Sequence, residues 1–296
     1  MDPVRIERLE DPRVSDYRNL KDAQLARDRD RFVVEGRGNL QVLLARSTFA
    51  PDSILLSERA FAGLAAALAE AKPACPVYVA SQSVLDEIVG FAIHRGVLAV
   101  CPRPIANDPL ALARARLEAV RAQGRPARFV LLEGLTNHDN VGGIFRSAMA
   151  LGVDAVLLCA QSCDPLYRKA IRTSMGGSLV VPFARASDFG RLLDDLAALG
   201  LEVVALDPAP QGVDLADLDP DALGDAALLV GTEGAGVSVR ALARATRRVR
   251  IDMEPEVDSL NVAVAASIAL HRLRPRGTPA IAEGRAAPDA PPEPGE

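Results

Sequence analysis

The sequence predicts an α/β chain built from a smaller and a larger unit. Short apolar runs alternate with helical stretches in two separate series. A break at Pro102, Pro104 and Pro109 divides the series, and polar segments follow several of the predicted strands in the second. With 296 residues, 49% of them hydrophobic, the chain has material for substantial cores.

The elements follow in order. Residues 1 to about 30 read as a polar opening helix carrying Lys21, Arg27 and Arg29, with Arg31 just beyond. Phe32-Val33-Val34 reads as a strand, followed by Glu35-Gly36 and a helical stretch over 39–45. A second strand is expected over 53–56, an alanine-rich helix over 61–71 and a third strand over 77–79. A helix over 81–89 opens on a serine cap, and 94–100 gives the last strand of the unit. An Ala/Arg-rich helix near 110–122 bridges to the second series. Strands are then expected over 129–132, 155–158, 179–183, 203–206, 227–230 and 249–253, with helices between and a final helix over 260–272. After Pro275 the composition turns to Pro, Ala, Gly and Glu, which reads as a disordered tail. The expected boundaries are 1–103 for the first unit, 104–127 for the linker helix, 128–274 for the parallel-sheet unit and 275–296 for the tail.

Composition removes several functional classes. The N-terminus is charged from its start, and no segment approaches the roughly 20 apolar residues that span a bilayer, so a cytoplasmic protein is expected. A net charge of −5 argues against a non-specific nucleic-acid coat, and 4% aromatics against a single-strand stacking platform. Cys75, Cys101, Cys159 and Cys163 are too few and too irregular for a disulfide framework. Cys159 and Cys163 lack a histidine at metal-binding spacing, so no metal is expected.

Three segments carry the chemistry, each placed after a predicted strand, where open parallel sheets bind ligands. The first runs from Leu131 through Glu133-Gly134-Leu135-Thr136-Asn137-His138-Asp139-Asn140-Val141-Gly142-Gly143 to Arg146. If Asn140 lies in the loop, Arg146 sits on the second helical turn and can point back to the same mouth; alternatively Asn140 caps the helix and Arg146 is a solvated charge. The second is Val230-Gly231-Thr232-Glu233-Gly234-Ala235-Gly236, whose glycines match neither G-x-G-x-x-G nor a P-loop. Glu233 would repel phosphates and suits a cationic or hydroxyl-bearing ligand. A nicotinamide-dependent oxidoreductase is disfavoured on the same grounds. The third runs from Ile251-Asp252-Met253-Glu254-Pro255 to Ser259-Leu260-Asn261-Val262, where Ser259 or Asn261 opens an alanine-rich helix.

In this order and at this spacing, the three segments resemble the signature motifs of the SpoU (TrmH-like) family within the SPOUT superfamily of RNA methyltransferases. Asp164-Pro165-Leu166-Tyr167-Arg168-Lys169-Ala170 and Ser174-Met175-Gly176-Gly177 are similar to that family too. Val34-Glu35-Gly36 and His94-Arg95-Gly96-Val97-Leu98-Ala99 resemble its L30e-like substrate-binding module. Two positions depart from the pattern: Asp252 stands where the family has proline, and Glu254-Pro255 replaces a more glycine-rich loop. The resemblance implies an L30e-like domain followed by a SPOUT domain with a trefoil knot, S-adenosylmethionine as cofactor, and methylation of a ribose 2′-hydroxyl in structured rRNA or tRNA. It implies catalytic roles for Asn140, Arg146, Glu233, Ser259 and Asn261, a cofactor pocket lined by Gly231, Thr232, Glu233, Gly234, Ile251, Met253 and Leu260, and a homodimer. Arg168, Lys169 and Arg172, within two turns of one helix, are the expected RNA contacts, with Arg27, Arg29 and Arg31 a second basic cluster. The competing expectation is a non-catalytic RNA-binding protein that keeps the fold.

Overall fold

Strands that are apolar on both faces must be covered on both faces, and the chain meets that demand twice. The computed structural model describes residues 2–19, 22–103, 107–257 and 259–274. Lys21, Pro104 and the expected disordered tail lie outside those residues. The first sheet is assembled from β1 (Val4–Ile6), α1 (Asp22–Arg29), β2 (Arg31–Glu35), α2 (Arg37–Arg46), β3 (Ser53–Ser57), α3 (Glu58–Ala71), β4 (Val77–Ala80), α4 (Gln82–Val89) and β5 (Val97–Pro102). Its strand order is β1-β4-β3-β5-β2; β1 and β3 run parallel to β4, and β5 is antiparallel to β2 and β3. The period-2 alternation sends Phe32 and Val34 to the side covered by Leu40, Leu43, Leu64 and Leu68. Val33 goes to the other, with Tyr17, Leu85 and Ile88.

The second series begins with α5 (Pro109–Arg121), β6 (Arg128–Leu132), α6 (His138–Leu151), β7 (Ala155–Cys159), α7 (Arg168–Thr173), β8 (Phe183–Ala186) and α8 (Phe189–Ala198). It continues with β9 (Glu202–Leu206), β10 (Val213–Asp214), β11 (Ala226–Val230), α9 (Val239–Leu242), β12 (Arg247–Arg250) and α10 (Val262–Leu273). The strand order is β10-β12-β9-β11-β6-β7-β8, and every pairing is parallel. From β6 the chain builds outward to β7 and β8, then crosses to β9 on the other side. That reversal is where a doubly wound sheet opens a crevice. Helices α6 and α10 cover one face through Val141, Ile144, Phe145, Ala266, Ala269 and Leu270. Helices α5, α8 and α9 cover the other, so α5 does more than bridge: Ala113, Leu117 and Val120 are part of this core.

Three expectations about elements are corrected. The opening stretch is not one helix. Val4-Arg5-Ile6 adds an edge strand to β4, and Asp11 caps a 3-10 turn at Pro12–Tyr17 before α1 begins. Tyr17 is drawn inward, its hydroxyl 2.8 Å from Ser53 Oγ. The run 179–183 is not a strand: a 3-10 turn spans Gly177–Leu179, and pairing starts only at Phe183, after Pro182. Leu179 is apolar because it packs, with Leu166 and Ile171, against the first unit's core. The strand expected over 249–253 lies earlier, at β12, and frees Ile251 and Met253 from the ladder.

Polar ties join the two units beside that apolar contact. Arg168 Nε lies 2.6 Å from Asp22 Oδ1, its Nη1 lies 3.5 Å from Glu35 Oε2, and its guanidinium stands 5.5 Å over the Phe91 ring. Arg103 pairs with Asp164 at 2.5 Å. At the amino ends of the larger sheet, Arg128 is nearly fully buried. Its Nε donates to Leu273 O at 2.6 Å, and its Nη1 donates to the carbonyls of Gly224 at 2.6 Å and Ala127 at 2.9 Å. Burial lowers this guanidinium's pKa from its ordinary value, and the Asp225 and Asp154 carboxylates oppose that shift. The residue therefore ties the last turn of α10 to the first residue of β6. Arg128→Leu strands these buried carbonyls and is expected to cost about 2–3 kcal/mol. In thermal unfolding followed by circular dichroism that is a fall of roughly 5–10 °C; an unchanged midpoint would contradict the assigned role.

Candidate active site

Three loops leave the carboxyl ends of β6, β11 and β12, and close backbone approaches hold them together. Gly134 has a positive φ of 69°, and a Cβ there would lie 2.7 Å from Thr232 Cγ2, so the first and second loops touch. On α6, a Cβ at Gly142 would meet Ala170 O at 2.7 Å, and one at Gly143 would meet Ala263 Cβ at 2.9 Å. The glycine pair therefore seats α7 on one side of α6 and α10 on the other. Glu133 accepts from the Ser238 amide at 2.8 Å and the Ser238 hydroxyl at 2.7 Å, pinning the far end of the second loop to the start of the first.

The second loop folds back on itself. Thr232 and Gly236 exchange backbone hydrogen bonds of 3.0 Å in both directions. A Cβ at Gly231 would sit 2.1 Å from the Gly236 backbone, so no other residue fits the turn as built. Glu233 is thereby carried out on the tip of the turn. In the third loop Asn261, not Ser259, is the N-cap of α10: its Oδ1 accepts from the amides of Ala263 at 3.0 Å and Val264 at 3.3 Å. Because that oxygen is committed to the helix, the Asn261 Nδ2 faces outward and donates to Asn140 Oδ1 at 2.9 Å. The Asn140 Nδ2 is left to donate to Glu233 Oε1, which also lies 3.5 Å from Asn261 Nδ2. A directed chain of donors therefore runs from the α10 amides to the Glu233 carboxylate, and it joins all three loops.

The expectations for individual residues divide accordingly. Asn140, Glu233 and Asn261 come together. Asn140 is neither in the loop nor the cap. Asn137 caps α6, accepting from the Asp139 amide at 2.9 Å, and Asn140 is the third helical residue, only 5% exposed. Arg146 is not joined to that donor chain. Six residues carry it about 240° around the helix axis from Asn140. Its side chain makes no hydrogen bond or ion pair among the described residues, and the residue is exposed.

Beside the donor chain lies a cavity of about 510 Å³ at the carboxyl ends of β9, β11 and β12. Gly231, Thr232, Glu233, Gly234, Ile251, Met253 and Leu260 all line it, as do Ser259 and Asn261. The sequence reading missed Leu206, Asp207 and Pro208, which also line it. Their signal was present, since they follow the predicted strand over 203–206 as the other loops follow theirs. Among the described lining residues there are two carboxylates, Asp207 and Glu233, and no lysine, arginine or histidine.

The basic trio lines one cavity of about 500 Å³ together with Glu35, Gly36, His94 and Arg95 of the first unit. Arg168 is held there between Asp22 and Glu35 in the inter-unit contact. Lys169 pairs with Asp139 at 2.7 Å, a bond that holds the Asp139 carboxyl below its ordinary pKa. Arg172 is exposed. Arg27, Arg29 and Arg31 pair with Asp28, Asp16 and Asp52 respectively. His138 stacks on Tyr167 with ring centroids 4.3 Å apart, and burial lowers its pKa. Cys159 Sγ accepts from the Gly134 amide at 3.0 Å and so supports the first loop.

Comparison with known proteins bears on this arrangement. The model of the SpoU rRNA Methylase family matches residues 127–271. An uncharacterized tRNA/rRNA methyltransferase of Mycobacterium tuberculosis is 38% identical over 272 residues, covering 88% of each chain. Among solved structures, an AdoMet-bound rRNA methyltransferase from Sinorhizobium meliloti superposes with a TM-score of 0.72 at 24% identity, covering 91% of this chain and 97% of that one. The SpoU methyltransferase AviRb from Streptomyces viridochromogenes, in complex with AdoMet, gives a TM-score of 0.71 at 22% identity, covering 89% of this chain and 97% of that one. Both share the fold described above.

Gly231→Ala is expected to open the second loop while the sheet stays folded. Hydrogen exchange read by mass spectrometry should show loss of protection confined to 230–238, and protection kept there would refute the backbone-contact account.

Proposed function

Because the chain belongs to the SpoU rRNA methylase family, we propose that it transfers a methyl group from S-adenosylmethionine to a ribose 2′-hydroxyl of structured RNA, ribosomal or transfer. The observation that carries this reading is the donor chain Asn261–Asn140–Glu233 beside a cavity whose described lining residues include two carboxylates and no cation. Its volume of about 510 Å³ lies in the range of small-molecule sites. Its apolar wall, from Leu206, Val230, Ile251, Met253, Leu260 and Val262, suits an adenosine body, and its carboxylates suit a positively charged centre. The residues present therefore fit the cofactor.

S-adenosylmethionine, when bound, supplies a methyl on a positively charged sulfur, open to in-line attack. The chain's part is alignment and charge stabilisation. The amides of Asn140 and Asn261, locked by the α10 cap, fix the Glu233 carboxylate at the mouth. Gly231, Thr232 and Gly234 offer main-chain groups to the ligand along the folded loop. A guanidinium offers donors and no acceptor, so Arg146 is not the base that takes the hydroxyl proton. Its role is to hold the attacking oxygen, or the adjoining phosphate, and to stabilise the negative charge that develops there. Ser259 lies on the same mouth as a hydroxyl contact.

Arg146 stands apart from the cavity of its own protomer, which favours a homodimer in which each subunit completes its neighbour's site. Val264 and Ile268, exposed one turn apart on α10, suit such an interface. In the same reading the first unit, residues 1–103, is an L30e-like RNA-binding module and 104–127 links it to a knotted SPOUT domain over 128–274. The protein works in the cytoplasm, and Lys169 and Arg172 contact RNA phosphates. Among the described residues no helix is long and apolar enough to cross a membrane.

Arg146→Ala is expected to lower tritiated-methyl transfer to RNA by at least about a hundredfold, with S-adenosylmethionine affinity in calorimetry changing less than about threefold. Loss of both together contradicts the role assigned to it. Wild-type protein that methylates a base rather than a ribose overturns the 2′-hydroxyl assignment.

A further inference from the structure

We propose that Asp207 selects the charge of the ligand, favouring a sulfonium over the neutral thioether left after transfer. The proposal rests on the cofactor reading above and extends it to a residue outside the three motifs. Asp207 follows β9 directly. Its amide donates to Val249 O at 2.9 Å, which fixes it between β9 and β12, and Pro208 stiffens the chain after it. Its Oδ1 accepts from the Ala209 amide at 3.2 Å, and the second oxygen has no hydrogen-bond partner among the described residues.

The two carboxylates of the cavity are not equivalent. Glu233 is tied to the amides of Asn140 and Asn261, whose dipoles already answer part of its charge. Asp207 has one backbone donor and shares the cavity with an apolar wall that includes Leu206, Ile251 and Met253. Among the described lining residues no cation stands in the cavity to answer its charge. On transfer the S–CH3 bond breaks with both electrons staying on sulfur, an O–CH3 bond forms, and the hydroxyl proton leaves to solvent. The sulfur then carries no charge, while the rest of the ligand is unchanged. A fixed negative charge in the cavity therefore holds the substrate form more tightly than the product form, and the product leaves more readily. Across such a cavity one unit charge is worth on the order of tenfold in binding.

The test is isothermal titration of wild type, Asp207→Asn and Asp207→Glu with S-adenosylmethionine, S-adenosylhomocysteine and sinefungin, which places an ammonium where the sulfonium stands. Asparagine keeps the acceptor for Ala209 and removes only the charge. Asp207→Asn should weaken S-adenosylmethionine and sinefungin about five- to tenfold and S-adenosylhomocysteine less than about twofold. Asp207→Glu, which retains the charge, should keep the wild-type preference for the charged ligands. Equal weakening of all three, or an unchanged preference in Asp207→Asn, overturns the proposal. Loss of the preference in Asp207→Glu does so as well. Wild-type protein that binds none of the three overturns the cofactor reading itself, and the charge selection falls with it.

Discussion

The amide of Asn261 has two ends, and the helix claims one of them. Because α10 takes its oxygen, the nitrogen is turned toward Asn140, whose own amide is then turned toward Glu233. Each orientation follows from the one before it, starting from the unsatisfied N–H groups that every helix presents at its start. The cap therefore does what capping does for stability, and it also sets the polarity of a chain that crosses three loops. Reversing either amide would set donor against donor or oxygen against oxygen.

Close packing makes that chain possible. The Gly142-Gly143 pair lets α7 and α10 lie against α6 from two sides, and Gly231 lets the second loop close on its own backbone. Ser147 and Ser267 bridge α6 and α10 at 2.6 Å further along. The first unit is held to the same framework: α7 packs on α6 at Gly142 and reaches the first sheet through Ile171 and Arg168. The sheet reversal, the glycines and the inter-unit core thus converge on one helix, α6.

The sequence made much of this readable and left some of it hidden, for physical reasons. Apolar runs marked most of the strands because strands covered on both faces have no polar face to confuse the pattern. Val4-Arg5-Ile6 was missed, since a three-residue edge strand is too short to show a period. The run 179–183 misled because burial between two units looks like burial in a sheet. The loops could be placed at strand ends from pattern alone, but which asparagine caps α6 depends on where the helix starts, and one turn moved the cap from Asn140 to Asn137. Arg146 shows the limit of reasoning from helical spacing: it was expected on the second turn, but the helix starts earlier, at His138, and carries it on the third. The ion pairs of Arg168 stayed hidden, since nothing in a linear sequence reveals that Asp22 and Glu35 fold onto it.

Helix α10 is anchored at two ends of different character. Its first turn belongs to the cavity mouth, and its last carbonyl is held by Arg128 at the opposite edge of the sheet. Twelve residues separate those anchors, a span of about 18 Å. The last turn of the helix therefore lies at the far rim of the larger unit, away from the mouth. A surface tether attached at His271, exposed on that last turn, would leave the mouth unobstructed, which makes it a natural handle for immobilising the protein.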